Sequence, residues 1–386
     1  MQLKRYFFLI TLAMALAACG NNQPTPTSPP PVITIYAPTA APATATVPAP
    51  TPAPAQTVVP TQNPSAPNTF APDVNPYTGL KVADPAVLNR KPVIVKVNNE
   101  QTVRPQTGLA QADVVVEHIM EGGSTRFDAL YLANAPTKVG SVRSCRLVDI
   151  ELTTIFKTAL VCSGTSPGVK PIIRAATNLF DKGGGLRDGV AIISDFGPYE
   201  CATCPMFRTT DKPMPHNLYA NLPNTWKELD DRKRNTPSGF NAFRFDANTP
   251  SGGAPAANIS LKYRIDPAAW AWDAASGTWL RSIGGAPHID AATGAQLSAV
   301  NVLVLQVPHI DTDIEEDSLG SKSVQIQLWN SGKAKLFRDG KLFEGTWERN
   351  TDLTTIVLRD ATGKPLMLKP GNTWVQIIAT GDQVSP

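Results

Sequence analysis

Four arginines, two glutamates and a histidine carry the densest polar chemistry in this chain. Arg104, Arg126, Arg143 and Arg146 all stand near turns, and each guanidinium offers a planar fork that matches carboxylate or phosphate. If two or three converge, an anion site follows. Asn217 is a further ligand-binding candidate, with capping of a helix or turn as its plainer role. Glu117 and Glu121 with His216 are the acid–base candidates, since imidazole titrates near neutrality and a buried carboxyl is raised toward it. Arg and Glu in adjacent turns also commonly pair with each other, so a purely structural network competes with both readings. His288, between Pro287 and Asp290, reads as an exposed turn histidine, and His118 and His309 have no signature around them.

Other chemistries are excluded by spacing. Gly183-Gly184-Gly185 has no following Lys-Ser/Thr, so no phosphate loop is present. Cys162-Ser163-Gly164-Thr165-Ser166 is not a nucleophile elbow, and Ser166 to Lys170 has the wrong spacing for a Ser-x-x-Lys motif. No cofactor is implied. Of five cysteines, Cys145, Cys162, Cys201 and Cys204 remain once Cys19 is set aside. Four allow three connectivities, of which Cys201 with Cys204 and Cys145 with Cys162 is the most local. A zinc site at Cys201-Ala202-Thr203-Cys204 would need two more ligands, and only His216 and one distant cysteine offer themselves, so no metal is expected.

The elements that must position these residues follow from periodicity. Short β-branched runs at 91–97 and 112–117, and alternation across 126–132, predict strands. Val148, Leu152, Ile155 and Phe156, then Val169 to Phe180, recur at helical spacing, with buried strands at 158–162 and 190–194. Residues 73–235 are therefore expected to form an α/β domain. A polar and Gly/Pro-rich stretch separates this from 256–386, where eight short strands with Ser276-Gly277, Asp339-Gly340 and Thr362-Gly363 at the corners predict a β-rich barrel or sandwich. Trp270, Trp272 and Trp279 would meet across its first hairpin, as core packing or as a stacking platform. The expected class is mixed α+β, an α/β domain followed by a β-rich one.

Composition adds an address. The chain has 386 residues and 36 prolines, yet 21–72 holds 15 of those prolines and not one charged side chain. Such a segment cannot assemble a core and reads as a disordered tether, able to reach on the order of 150 Å when extended. Its Thr and Ser are acceptable to O-glycosylation, and a PxxP ligand role competes with that of a stalk. From Asp73 onward 33 basic residues face 32 acidic ones, so bulk attraction to nucleic acid is not indicated. Lys4 and Arg5 precede an apolar stretch from Phe7 to Leu16, too short to span a bilayer comfortably, which predicts a signal peptide over 1–18. Leu16-Ala17-Ala18-Cys19-Gly20 resembles the lipobox of bacterial lipoproteins. That resemblance implies acylation of Cys19 with palmitate-type chains and anchoring to the outer face of the cell membrane, with 19–72 as lipidated cysteine plus tether. The alternative is an ordinary secretory peptide with Cys19 incidental.

Ordered motifs carry a second resemblance. Asn75-Pro76-Tyr77-Thr78-Gly79, Arg104-Pro105-Gln106-Thr107-Gly108-Leu109, Glu121-Gly122-Gly123-Ser124-Thr125-Arg126, Gly140-Ser141-Val142-Arg143-Ser144 and Pro215-His216-Asn217-Leu218-Tyr219 resemble the DUF3048 family of YerB-like bacterial lipoproteins. Pro287-His288-Ile289-Asp290, Asn301 to Val304 and Gly371 to Trp374 extend the match into the second half. Membership implies N-terminal and C-terminal domains of unknown biochemical role on an envelope lipoprotein. Cys145 and the Cys201/Cys204 pair depart from the family pattern, which argues against a shared catalytic cysteine. Three functions stay open: a membrane-anchored module binding an anionic or wall-derived ligand, an envelope hydrolase or transferase using Glu117, Glu121 and His216, and a scaffold for envelope proteins.

Overall fold

The strands expected near residues 93, 114 and 126 form, but most of them pair as hairpins and not as helix-linked crossovers. This computed structural model describes residues 68–180, 189–194, 196–350 and 355–385. The expected signal peptide, the Cys19 lipidation site, most of the tether and the triple-glycine loop lie outside them. In chain order the first half supplies β1 (Val93–Asn98), β2 (Val114–Ile119), β3 (Thr125–Tyr131), β4 (Val139–Gly140), α1 (Val148–Phe156), β5 (Ala159–Cys162), α2 (Lys170–Ala175), β6 (Ala191–Ile193), β7 (Met206–Arg208), β8 (Leu218–Ala220) and α3 (Leu222–Asp231). The second half adds β9 (Ala254–Pro255), β10 (Asn258–Leu261), β11 (Ala268–Asp273), β12 (Thr278–Ile283), β13 (Ala286–Pro287), β14 (Ser298–Ala299) and β15 (Asn301–Val307). It closes with β16 (His309–Glu315), β17 (Lys322–Ile326), β18 (Asn330–Arg338), β19 (Lys341–Arg349), β20 (Val357–Asp360), β21 (Thr373–Ala379) and β22 (Val384–Ser385).

The expected α/β domain is not what forms. The described residues are β-rich, 39% strand against 12% helix. β3 runs antiparallel to both β1 and β2, and within the first half only β1, β5 and β6 pair in parallel, with α2 crossing from β5 to β6. Fully buried strands read as the same β-branched runs whether parallel or antiparallel, so composition did not separate the two. The second expected helix stops at Ala175, because the chain turns before Leu179 and Phe180 reach the core. Nor do the second-half strands close on themselves. β9, β15, β18, β19, β20 and β21 join β1, β2, β3, β5 and β6 in one mixed eleven-stranded sheet, through parallel pairing of β2 with β21, while β10 to β14 and β22 form a separate six-stranded sheet.

Each face of the central sheet buries its own core. On one, Val95, Val115, Phe127 and Trp374 pack with Trp270 and Trp279 of the six-stranded sheet. Trp270 meets Trp374 edge-on at 5.1 Å between ring centroids, and Trp272 lies 5.3 Å from Trp279, so the tryptophans pack inward. On the other face, Ile94, Val116 and Leu130 pack with Val148 and Leu152 of α1.

Both faces also bury charge. Lys96, paired in register with Asp128, has no exposed side-chain surface. Its ammonium donates to Asp128 Oδ2 at 2.8 Å, to Asp149 of α1 at 2.5 Å, and lies 2.7 Å from His118 Nε2. The three acceptors' ligand atoms lie within 4.8 Å of one another, as a metal cluster's would, but the lysine ammonium already stands as their cation. Burial alone would raise both carboxyls; Lys96 and His118 hold Asp128 low, whereas Asp149, facing the charge of Asp128, stays raised. Across the sheet, Glu117 accepts from Arg281 of β12 at 2.8 Å, both fully buried. Arg281 also lies over Trp374, 4.6 Å from the ring centroid.

Lys96→Met leaves two carboxylates facing each other without a cation. Urea unfolding should show a loss of about 3–5 kcal/mol, and a loss below about 1 kcal/mol would mean the cluster is not held by its charge.

Candidate anion-binding site

The end of β1 is where the motif segments meet. Asn98 N–H donates to Ser141 O and Arg143 N–H to Lys96 O, which lays 140–143 alongside β1. Val142 N–H donates to Leu218 O, bringing the His216 segment against the same edge. Thr107 bridges to Gly140. Gly108 takes φ +90°, and a Cβ there would sit 2.9 Å from the carbonyl of Lys138, so only glycine fits this close crossing. Asp290 accepts from Gly108 and Ala110 N–H and holds that turn from the second half of the chain. Gln106 donates to Asn98 O and Asn99 Oδ1, and its Oε1 lies 2.7 Å from His288 Nε2. His288 is buried, not in an exposed turn as expected. Burial and the neighbouring Arg281 push it well below the ordinary imidazole value, so it stays neutral, accepting from Arg281 at Nδ1 and donating to Gln106.

The four expected arginines divide into three environments. Arg104 donates to Asp266 and to Asn99 O, both at 2.6 Å. Arg146 grips Glu121 with two nitrogens and lies 3.5 Å from Glu316 of the β16–β17 hairpin. Arg126 and Arg143 converge on Glu100, at 2.9 and 3.7 Å. Glu100 keeps 34% of its side-chain surface, against 12% for Asp266 and 6% for Glu121. Arg126 is lowered to about 10, first by burial, then by Arg143 and Arg146, with Glu100 opposing. Burial would raise the Glu100 carboxyl, but Arg126 and Arg143 together hold it below its usual value.

The remaining candidates are placed as follows. Glu117 lies in the core with Arg281, Thr125 and Asn99. Glu121 faces Arg146. His216 sits beside the Glu100 group, lowered by burial and then by Arg143, with Glu100 opposing, and its Nδ1 is shielded without a hydrogen-bond partner among the described residues. Asn217 accepts from Arg208 and donates to Thr209 O, tying β7 to β8. Cys145 pairs with Cys162, and Cys201 with Cys204. Glu100 itself was not singled out from sequence, although it lies four residues before Arg104; nor were Lys96, Asp128, Asp149 and Arg281.

Opposed charges around His216 predict opposed shifts. NMR titration of the imidazole should find it raised in Arg143→Gln and lowered further in Glu100→Gln; shifts of the same sign in both would remove His216 from this group.

Comparisons with known proteins match this architecture along its length. Residues 77–236 match the model of the N-terminal domain of a protein of unknown function, DUF3048, and 258–375 match the C-terminal domain of the same family. The chain is 28% identical over 314 residues to "Putative lipoprotein YerB" of Bacillus subtilis (strain 168), covering 80% of this chain and 87% of that one. A crystal structure of YerB from Bacillus subtilis superposes with a TM-score of 0.65 at 27% identity, covering 81% of this chain and 99% of that one. The two domain matches follow each other in chain order and together take in the central sheet, its six-stranded partner and the Glu100 group: the chain belongs to the DUF3048 family.

Proposed function

We propose that this protein is a lipid-anchored binding module of the cell envelope whose Arg126–Arg143 pair holds the carboxylate of an anionic, wall-derived ligand. One observation carries the reading. Two guanidiniums share a single carboxylate, Glu100, that remains one-third exposed, and the Arg143 contact is loose at 3.7 Å. Arg126 is buried and must keep an anionic partner, whereas Glu100 is reachable from solvent, so a ligand carboxylate can take its place as Glu100 swings out. The incoming group gains charge-assisted hydrogen bonds from a fork already oriented by the fold. Arg104 and Arg146 lack this freedom, since their acids are nearly buried.

Catalysis by Glu117 and Glu121 with His216 has less support. Both carboxylates are engaged by arginines of their own, and Glu117 faces the six-stranded sheet. The anchor rests on the lipobox-like Leu16 to Cys19 and on the lipoprotein name of the relative. Among the described residues no helix is long and apolar enough to cross a membrane. Two acyl chains on Cys19 would hold the chain stably where one would not, and the tether would let the body reach into the wall.

Calorimetry of the full chain with a peptidoglycan fragment bearing free peptide carboxylates should find binding that Arg143→Gln weakens about tenfold. Equal affinity in the variant would contradict the site. Affinity should rise as pH falls through the titration of His216, which lies below the ordinary imidazole value, because a protonated ring adds positive charge beside the bound anion; His216→Ala should flatten that rise. Cys19→Ser should move the chain from the detergent-rich to the aqueous phase in a Triton X-114 partition, and an unchanged distribution would remove the lipid anchor.

A further inference from the structure

A second cleft, separate from the Glu100 group, lies where the parallel strands β5 and β6 end. Loops leaving the carboxyl ends of two neighbouring parallel strands diverge and leave a crevice, as at the strand ends of parallel sheets. Here Gly164 and Thr165 follow β5, Ser194 and Phe196 follow β6, and α2 crosses between them. The cleft holds about 230 Å³, or roughly eight water volumes at about 30 Å³ each, enough for a ligand of about ten non-hydrogen atoms. Its walls are apolar: Ile173 and Phe180 are buried at the base, Ile193 is half-buried, and Phe196 stands 91% exposed at the mouth. An aromatic ring that exposed has no packing role in the fold itself.

Three polar features give the cleft a sign. Lys170 and Arg174 of α2 both line it, and neither meets a carboxylate among the described residues. Thr165 Oγ1 is shielded from solvent and has no hydrogen-bond partner there either. Two cations and an unsatisfied hydroxyl beside an apolar pocket match a ligand with one anionic end and an apolar body. We infer that this cleft binds a small apolar monocarboxylate, with the body against Ile173, Phe180 and Phe196 and the carboxylate toward Lys170, Arg174 and Thr165. A doubly charged phosphate fits less well, because the walls would strip its hydration without replacing it.

Phenylacetate is the probe, and phenylacetamide its neutral counterpart of the same size. Saturation-transfer NMR on the full chain should show phenylacetate binding with a dissociation constant on the order of 1 mM and phenylacetamide at least about tenfold weaker. The double variant Lys170→Gln, Arg174→Gln should bring the two ligands to similar affinity. Ile193→Phe, which fills the cleft and touches neither charge, should abolish both signals. Phenylacetate bound equally by the double variant, or unaffected by Ile193→Phe, would overturn the inference, as would the absence of transfer at 10-fold the expected constant. An excess of the free-carboxylate peptidoglycan fragment should not displace the probe; displacement would place phenylacetate at Arg143 and overturn the inference without touching the reading of that site.

Discussion

A lysine ammonium with no exposed surface, set in the interior of a β-sheet, constrains everything around it. Lys96 is tolerable there only because three neighbouring elements each contribute a partner: His118 from β2, Asp128 from β3 and Asp149 from α1. The opposite face repeats the requirement with Glu117 and Arg281, joining the central sheet to the six-stranded one. A strand's side chains alternate between faces, so a one-residue slip in β1 or β2 would put a charge into an apolar layer with no partner. The two clusters therefore fix register on both faces at once. The Glu117–Arg281 pair and the β2–β21 pairing also make the two family domains one packed body, since Arg281 and β21 come from the second half of the chain and Glu117 and β2 from the first.

Fixing that register decides which surface charges are free to act. From Arg281 a run of hydrogen bonds passes through His288 and Gln106 to the backbone of Asn98 at the end of β1. Glu100 lies two residues beyond. Arg126, near the start of β3, stands opposite Asn98, and Arg143 is held by its own backbone bond to Lys96 O. The Arg126 guanidinium is thus carried on the strand that holds Asp128, and Arg143 on a segment bonded to the strand that holds Lys96. Rigid elements beneath a loosely paired, partly exposed carboxylate are what an exchangeable ligand position needs. At Arg104 and Arg146 the same residue type is locked by acids reached from the second half or from the β2–β3 turn.

The sequence made some of this legible for physical reasons. Valine-rich runs located β1 and β2, and the motif segments pointed to the edge where 104–108, 140–143 and 216–219 meet. The pairing direction of the strands stayed hidden because a run such as Val93 to Val97 is buried on both faces and looks alike in either sheet type. Hence an α/β domain was expected where hairpins form. Lys96 and Asp128 carry no signal in the sequence because a charge inside a strand ordinarily marks a solvent face, and only the partner supplied by α1, more than fifty residues on, reverses that meaning. Arg281 and Asp266 were invisible as partners of Glu117 and Arg104, each lying more than 160 residues away. Glu100 carries no motif signal, and its role appears only when Arg126 and Arg143 are seen to share it.

Crystallising the protein with a peptidoglycan fragment that bears a free carboxylate tests most directly whether Glu100 is an exchangeable occupant of the Arg126–Arg143 fork. The account predicts the ligand carboxylate between the two guanidiniums, the Glu100 side chain turned out to solvent, and the Lys96 and Arg281 clusters unchanged. A bound fragment elsewhere on the surface, with Glu100 still holding both arginines, would contradict it.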